Sequence, residues 1–401
     1  MYFELAKRMS GLEVSKLRQE LRKNMERKDT IPFGFGNPAM ESYPVETLKE
    51  ISDVIYENEP EKFLKYGQTS GFQNLRISLL DRLNNNYSLK HDNHEVVISS
   101  GSSQAMDLIV KILCNEGDIV ICESQTFNGC VNAIRSYNAI PEGIPMDESG
   151  ESIDLEILEE RLKKDTQKKI KMIYTIPTFH NPLGTSMPIK KREKLVELAN
   201  KYKFFIFEDD PYGDLIYSGE MLPKLKSFDK EGWVIFVGSF SKNLAPAARI
   251  AYVYAHKDIT EPFIAAKGDA DTHTNMYWQC MADEFIRNFR FDDHIQYLKE
   301  LYGKKCQLMI KELNKYCRPH LSFIDPKGGF FITCKMDSTI NHRIFMEKLL
   351  NKKVIVVPGN LMSVNGTGFE DNFRLSFASP TEAEICQGIK LIGEALEESK
   401  Y

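Results

Sequence analysis

From about residue 95 to 255, short β-branched and aromatic runs alternate with longer segments whose apolar positions recur every three or four residues. Continuous apolar runs such as Val234-Ile235-Phe236-Val237 suit strands buried on both faces, so the alternation predicts a mostly parallel sheet covered by helices on each side. Seven strands are expected, at 95–99, 119–123, 139–146 (the weakest), 172–177, 204–208, 234–238 and 250–255. Helical spacing follows Ser102 and spans 188–202, where Pro188 suits a first-turn position.

Beyond about 290 the texture changes. A long charged helix at 294–316 precedes Gly328-Gly329-Phe330-Phe331-Ile332, a further helix, a strand at Val354, another at 373–377 and a final helix, which together make an α+β unit. The chain therefore divides into an N-terminal arm with part of a small domain (1–45), a large α/β domain (46–289) and a smaller C-terminal domain (290–401). In the arm, Leu12, Leu17, Leu21 and Met25 stand at near-helical spacing among charges and read as a linking helix.

Charge narrows the classes of partner. The 401 residues carry 52 Lys+Arg against 57 Asp+Glu, a net −5, with no dense basic run, which argues against nucleic acid and membrane surfaces and leaves small-molecule chemistry. No apolar run approaches the roughly 20 residues of a membrane helix, and Met1-Tyr2-Phe3-Glu4 turns polar before a signal core forms, so a cytoplasmic protein is expected. Eight cysteines include no C-x-x-C pair and read as reduced core thiols. No metal site is expected, because His91-Asp92-Asn93-His94 lies in a polar stretch and His273 and His294 lack ligand-spaced partners.

The chemistry gathers at predicted strand ends, which is where open α/β sheets bind ligands. Lys242, in Gly238-Ser239-Phe240-Ser241-Lys242, follows one strand; held among small hydroxyl residues it is a candidate nucleophilic amine, with an exposed loop lysine as the competing reading. Ser239, Ser241 and Arg249 can together hold a phosphate. Glu208-Asp209-Asp210-Pro211-Tyr212 brings adjacent carboxylates to the same edge, one of which can face a buried cation or merely cap the next turn. Ser100-Gly101-Ser102-Ser103-Gln104 opens a helix and is either a phosphate cradle or an ordinary cap. Asn181, in His180-Asn181-Pro182-Leu183-Gly184, adds an amide, and Arg374, inside an apolar strand, needs an anion, either a ligand carboxylate or an internal salt bridge.

In order and spacing these segments, together with Pro32-Phe33-Gly34-Phe35-Gly36 and Tyr66-Gly67, resemble the fold-type I pyridoxal-phosphate enzymes of aminotransferase class I/II. The likeness is to the 2-aminoadipate and kynurenine aminotransferases and to the aminotransferase half of MocR regulators, and it spans nearly the whole chain. It implies an α/β large domain with a mostly parallel seven-stranded sheet, a smaller α+β domain, and pyridoxal 5'-phosphate carried as a Schiff base on Lys242. It implies that Asp209 partners the pyridine nitrogen, that Asn181 and Tyr212 meet the ring's phenolic oxygen, and that Phe127 stacks on the ring. Ser102, Ser103, Ser239, Ser241 and Arg249 match phosphate positions, Tyr66 a residue that reaches the neighbouring subunit's phosphate in a homodimer, Arg374 and Asn181 the holders of the substrate carboxylate, and Gly36 a loop that closes over substrate.

Two departures stand out. Phe127 replaces a tyrosine and supplies no hydroxyl, and Ser103 replaces a longer amide at a cost of roughly 1 kcal/mol of phosphate contact. The implied reaction moves an amine from an amino acid to a 2-oxo acid, with 2-oxoglutarate the expected acceptor. The same cofactor also supports β-lyase or decarboxylase chemistry, and a non-catalytic amino-acid sensor is a third reading, although few residues precede position 31 for a DNA-binding module. Phe35, Asn275 and Tyr277 are candidates for choosing the substrate side chain, with ordinary packing as the competing reading.

Overall fold

Phe205–Asp210 forms a strand with no exposed residue, and the sheet is assembled from runs of this kind. The computed structural model describes Met9 and residues 29–401; the helix expected over 12–27 lies outside the described residues. The seven strands of the sheet are β1 (His94–Ser99), β2 (Ile119–Glu123), β3 (Ile140–Ile144), β4 (Ile170–Thr175), β5 (Phe205–Asp210), β6 (Val234–Ser239) and β7 (Ala251–His256). Their order is β1-β7-β6-β5-β4-β2-β3. Only the pairings of β7 are antiparallel, so six strands end at one edge and β7 starts there.

Four helices illustrate the cover: α1 (Ser102–Leu113), α2 (Asn128–Ser136), α3 (Ile189–Tyr202) and α4 (Lys257–Asp271). Met106, Ile134 and Phe263, from α1, α2 and α4, pack with Phe207 and Val237 on one face. Leu195 and Ala199 of α3 pack with Ile206 and Val234 on the other. Burial on both sides explains why these strands read as unbroken apolar runs.

The C-terminal part holds the antiparallel strands β8 (Leu321–Phe323), β9 (Phe331–Met336), β10 (Val357–Pro358) and β11 (Asn372–Ser376), in the order β10-β11-β9-β8. Helices α5 (Phe291–Tyr316) and α6 (Glu382–Glu397) accompany them, and α6 opens with a Thr381–Glu384 capping box. Ile31–Pro32 pairs in parallel with Val354–Ile355, so the N-terminal chain enters beside this sheet.

Three expected boundaries move. Helix α5 starts at Phe291, three residues before 294, because Asp292 and Asp293 fit the positive end of a helix. Pro188 is the N-cap of α3 rather than its first helical residue. The strand expected at Val354 is two short ones, with Val356 between the pair that joins Ile31–Pro32 and the pair that joins β11.

One buried cation fixes the connection after β4. Arg192 of α3 has no exposed surface and donates to the carbonyls of Met187 at 2.7 Å, Pro223 at 3.0 Å and Pro177 at 2.5 Å, and to Thr178 Oγ1 at 3.0 Å. It thereby clamps both ends of the loop that carries Asn181. Arg192→Met takes the guanidinium donors from the Met187 and Pro223 carbonyls and from Thr178, while the Pro177 carbonyl keeps only the Met187 N–H, and the expected loss is roughly 3 kcal/mol, read as a lower urea midpoint. An unchanged midpoint would contradict the clamp.

Candidate active site

Five strand ends and the start of β7 meet at a cavity of about 430 Å³. Gly36, Ser102, Ser103, Phe127, Asn181, Asp209, Tyr212, Ser239, Ser241, Lys242, Arg249 and Arg374 all line it. Topology explains the convergence: β1, β2, β4, β5 and β6 deliver their following residues to this edge, while Arg249 sits just before β7, which runs the other way.

The pleat of β5 decides which carboxylate enters. Glu208 and Asp210 share the face of Ile206, where Glu208 accepts from the N–H groups of Leu225 and Lys226 at 2.8 and 2.9 Å and Asp210 pairs with buried Lys224 at 2.6 Å. Asp209 points to the opposite face. There its Oδ2 accepts from the Tyr174 hydroxyl at 2.7 Å, while its Oδ1 is buried without a hydrogen-bond partner. Burial pushes the Asp209 carboxyl up to about 7 against the Tyr174 bond, with Asp210 adding to the rise and Lys242 opposing it. This is an anionic acceptor waiting for a cation.

Lys242 follows β6 and donates to the Gly36 carbonyl at 2.7 Å. Burial and the guanidinium groups of Arg374 and Arg249 lower its amine to about 8, against the pull of Asp209. Arg374 projects from β11, where Thr333 and Val357 flank it across the ladder. Its Nη1 donates to Asn181 Oδ1 at 2.6 Å and its Nη2 to the Gly34 carbonyl at 2.8 Å, and its guanidinium lies 4.1 Å from the centroid of Phe331. Its Nε is buried without a partner. Among the described residues no carboxylate pairs with it, so the internal salt-bridge alternative finds no support there and the guanidinium is free to take a ligand anion. Tyr212 is buried beside the Phe330 and Phe331 rings, and burial pushes its hydroxyl well above the ordinary range.

At the other end Ser102 and Ser103 open α1, and Ser239 Oγ donates to Ser241 Oγ at 3.0 Å. Gly101 precedes them with φ +82°, and a Cβ there would lie 2.0 Å from Arg249 Nη2. Only glycine lets the guanidinium approach the helix start this closely.

Pyridoxal phosphate fits this arrangement. The orphaned oxygen of Asp209 suits a ring cation, and the helix start with its hydroxyls and Arg249 suits a dianion. Tyr66 is the candidate that lies elsewhere: its side chain is 90% exposed and edges onto His273, outside the cavity. Phe35 lines the cavity, whereas Asn275 caps the helix Met276–Asn288 and Tyr277 donates to Ser52 Oγ at 3.1 Å, and neither lines it in the single chain. Sequence reasoning missed Tyr174, a polar-tipped aromatic in a buried strand whose hydroxyl needs a partner. It also missed the buried pair of His180 Nε2 and Glu123 Oε2, 3.4 Å apart, which joins the segments after β2 and β4.

The aminotransferase class I and II family model matches residues 28–392. Aromatic-amino-acid aminotransferase 1 of Thermococcus litoralis is 36% identical over 97% of this chain and 93% of its own. The structure of Pyrococcus horikoshii kynurenine aminotransferase in complex with PMP superposes with a TM-score of 0.93 at 34% identity, covering 98% of this chain and 97% of its own. The α-aminoadipate aminotransferase of Thermus thermophilus, complexed with N-(5'-phosphopyridoxyl)-L-leucine, superposes with a TM-score of 0.87 at 29% identity, covering 98% of this chain and 97% of its own.

A carboxyl at 3.8 unfolded and about 7 folded makes the ligand-free fold bind a proton that the unfolded chain has released between those values. Its contribution to stability therefore falls as pH rises from about 4 to about 7 and stays low above. Asp209→Asn removes that penalty. The ligand-free variant is expected to gain melting temperature over the parent progressively through this window and to keep the gain at pH 8. An offset independent of pH would contradict the burial of this carboxylate. The comparison with the parent isolates Asp209 from Glu208, which burial also pushes up to about 7.

Proposed function

The chain belongs to the class I and II aminotransferases and is a pyridoxal-phosphate-dependent transaminase; from that premise we propose the roles of its residues and of its second subunit. The cofactor, when bound, supplies an electron sink for the pair left on the substrate Cα when its proton departs. Asp209 would hold the positive ring nitrogen with its unpartnered oxygen, and Tyr174 keeps the other oxygen engaged so that the carboxylate cannot turn away. Ser102, Ser103, Ser239, Ser241 and Arg249 would hold the phosphate, Phe127 would lie against the ring, and Asn181 and Tyr212 would serve its phenolic oxygen.

Lys242 anchors the cofactor and then serves as base. An amine near 8 is unprotonated in useful fraction at neutral pH yet basic enough to take the proton from Cα, and as its ammonium it would give that proton to the cofactor's C4′ carbon. Arg374 grips the substrate α-carboxylate, its angle set by Asn181 and the Gly34 carbonyl. The Gly34–Gly36 strip touches both cations through its carbonyls, so it closes over substrate and excludes water. We take 2-oxoglutarate as the amine acceptor.

The same reading makes 46–289 the cofactor domain and 290–401, with the N-terminal residues, the small one. It makes the enzyme a homodimer. Tyr66, 90% exposed, stands two residues from Leu64, 72% exposed, and a second copy covering the two would receive Tyr66 at its phosphate. The cytoplasm suits eight unpaired cysteines, seven of them buried. Among the described residues no helix is long and apolar enough to cross a membrane.

The observation that carries the assignment is Lys242 and the orphaned oxygen of Asp209 in one cavity with Arg374. Lys242→Ala is expected to lose transamination by about 10²–10⁴-fold or more while still binding pyridoxal phosphate. A small primary amine added to the variant should restore part of the rate. Turnover near the parent level would overturn the role of Lys242.

A further inference from the structure

The phosphate end of the cavity is braced by an ion pair that does not line it, between buried Lys267 and partly buried Asp271. Ser100 stands just before the Gly101 turn, and all of its polar groups are engaged. Its N–H donates to Gln104 Oε1 at 2.8 Å, its hydroxyl donates to Asp271 Oδ2 at 2.7 Å and lies 3.1 Å from Thr274 Oγ1, and its carbonyl accepts from Arg249 Nη2 at 3.4 Å. Gln104, in the first turn of α1, donates to the same Asp271 oxygen at 2.7 Å. Asp271, the last residue of α4, accepts from Lys267 Nζ at 2.6 and 2.7 Å, and Lys267 also donates to Gln104 Oε1 at 3.2 Å. Lys267 has no exposed surface.

The charges of Lys267 and Asp271 cancel, so the pair adds little net attraction for a dianion. What it fixes is direction. Through Ser100 and Gln104 it ties the start of α1 to the end of α4, and Arg249 leans on the turn so held. A helix start binds an anion through N–H groups that point at it, so tilting the first turn weakens several bonds together.

We propose that Asp271, held by Lys267 and Gln104, is a positioning residue for the cofactor phosphate: it sets the Ser100–Gly101 turn so that the start of α1 and Arg249 converge on the dianion. The proposal rests on the reading of the cavity as the pyridoxal-phosphate site. Because Asp271 acts through the phosphate alone, its removal weakens capture of pyridoxal phosphate and leaves capture of pyridoxal, which lacks the phosphate, unchanged.

The test is titration of cofactor-depleted enzyme with each compound, followed by visible absorption. In Asp271→Asn the side chain offers one acceptor and an NH2 group where three donors converge. Its Kd for pyridoxal phosphate is expected to rise by about tenfold or more, as befits hydrogen bonds to a charged group, while the Kd for pyridoxal stays at the parent value. Ser100→Ala, which leaves the Lys267–Asp271 pair intact, should shift the same way by less, and it decides the matter if Asp271→Asn does not fold. Equal weakening for both compounds, or no weakening, overturns the proposal. Failure of the parent enzyme to capture either compound would instead overturn the cofactor-site reading.

Discussion

A carboxylate buried beneath the cavity with one oxygen bonded and the other unpaired is the constraint around which this molecule is arranged. Asp209 cannot turn to water, because Tyr174 holds Oδ2 at 2.7 Å, and among the described residues no cation hydrogen-bonds its Oδ1: Lys242 acts on it only through the field of its charge, and Lys224 is engaged by Asp210 on the opposite face of the strand. A lone buried charge of this kind destabilises the fold unless something positive arrives. The chain therefore stores, in the ligand-free state, an unfavourable interaction that binding relieves. Nearby, Arg374 is a buried cation with no carboxylate beside it among the described residues, and burial lowers its guanidinium to about 10. The cavity holds two unmet charges of opposite sign, each matched to a different part of the bound assembly.

The sheet makes this possible. Parallel strands deliver their C-terminal ends to one edge, so residues from distant stretches of chain meet without long excursions, and the single antiparallel strand contributes through its beginning. The small sheet adds Arg374 from the other side, and the N-terminal strip lies across both. Gly34 and Gly36 contribute only carbonyl oxygens to the contacts with Arg374 and Lys242, so the strip needs no large side chains to hold its place.

Much of this was legible along the chain, for physical reasons that also mark where legibility ended. The apolar runs that became β2, β5 and β6 announced themselves because burial on both faces leaves no polar alternation. The family resemblance pointed to Asp209, but the residues alone left the choice among Glu208, Asp209 and Asp210 open, since it depends on the phase of the pleat and on which neighbours wait on each face. Tyr174 was invisible as a partner because the pairing of Tyr174 with Phe207 is a property of two strands in register. Asp271 lies 167 residues from Gln104, and no local pattern joins them. Val354 read as one strand because a two-residue pairing with Ile31–Pro32 leaves no periodicity to see.

The most direct measurement of the central claim is the nitrogen-15 resonance of ring-labelled pyridoxal phosphate bound to the enzyme and to Asp209→Asn. An ionised Asp209 facing the ring keeps its nitrogen protonated, so the parent should show the shielded resonance of a pyridinium across the neutral range, and the variant should show the deshielded resonance of a neutral pyridine. A deprotonated ring in the parent, or the same protonated signal in both, would contradict the account.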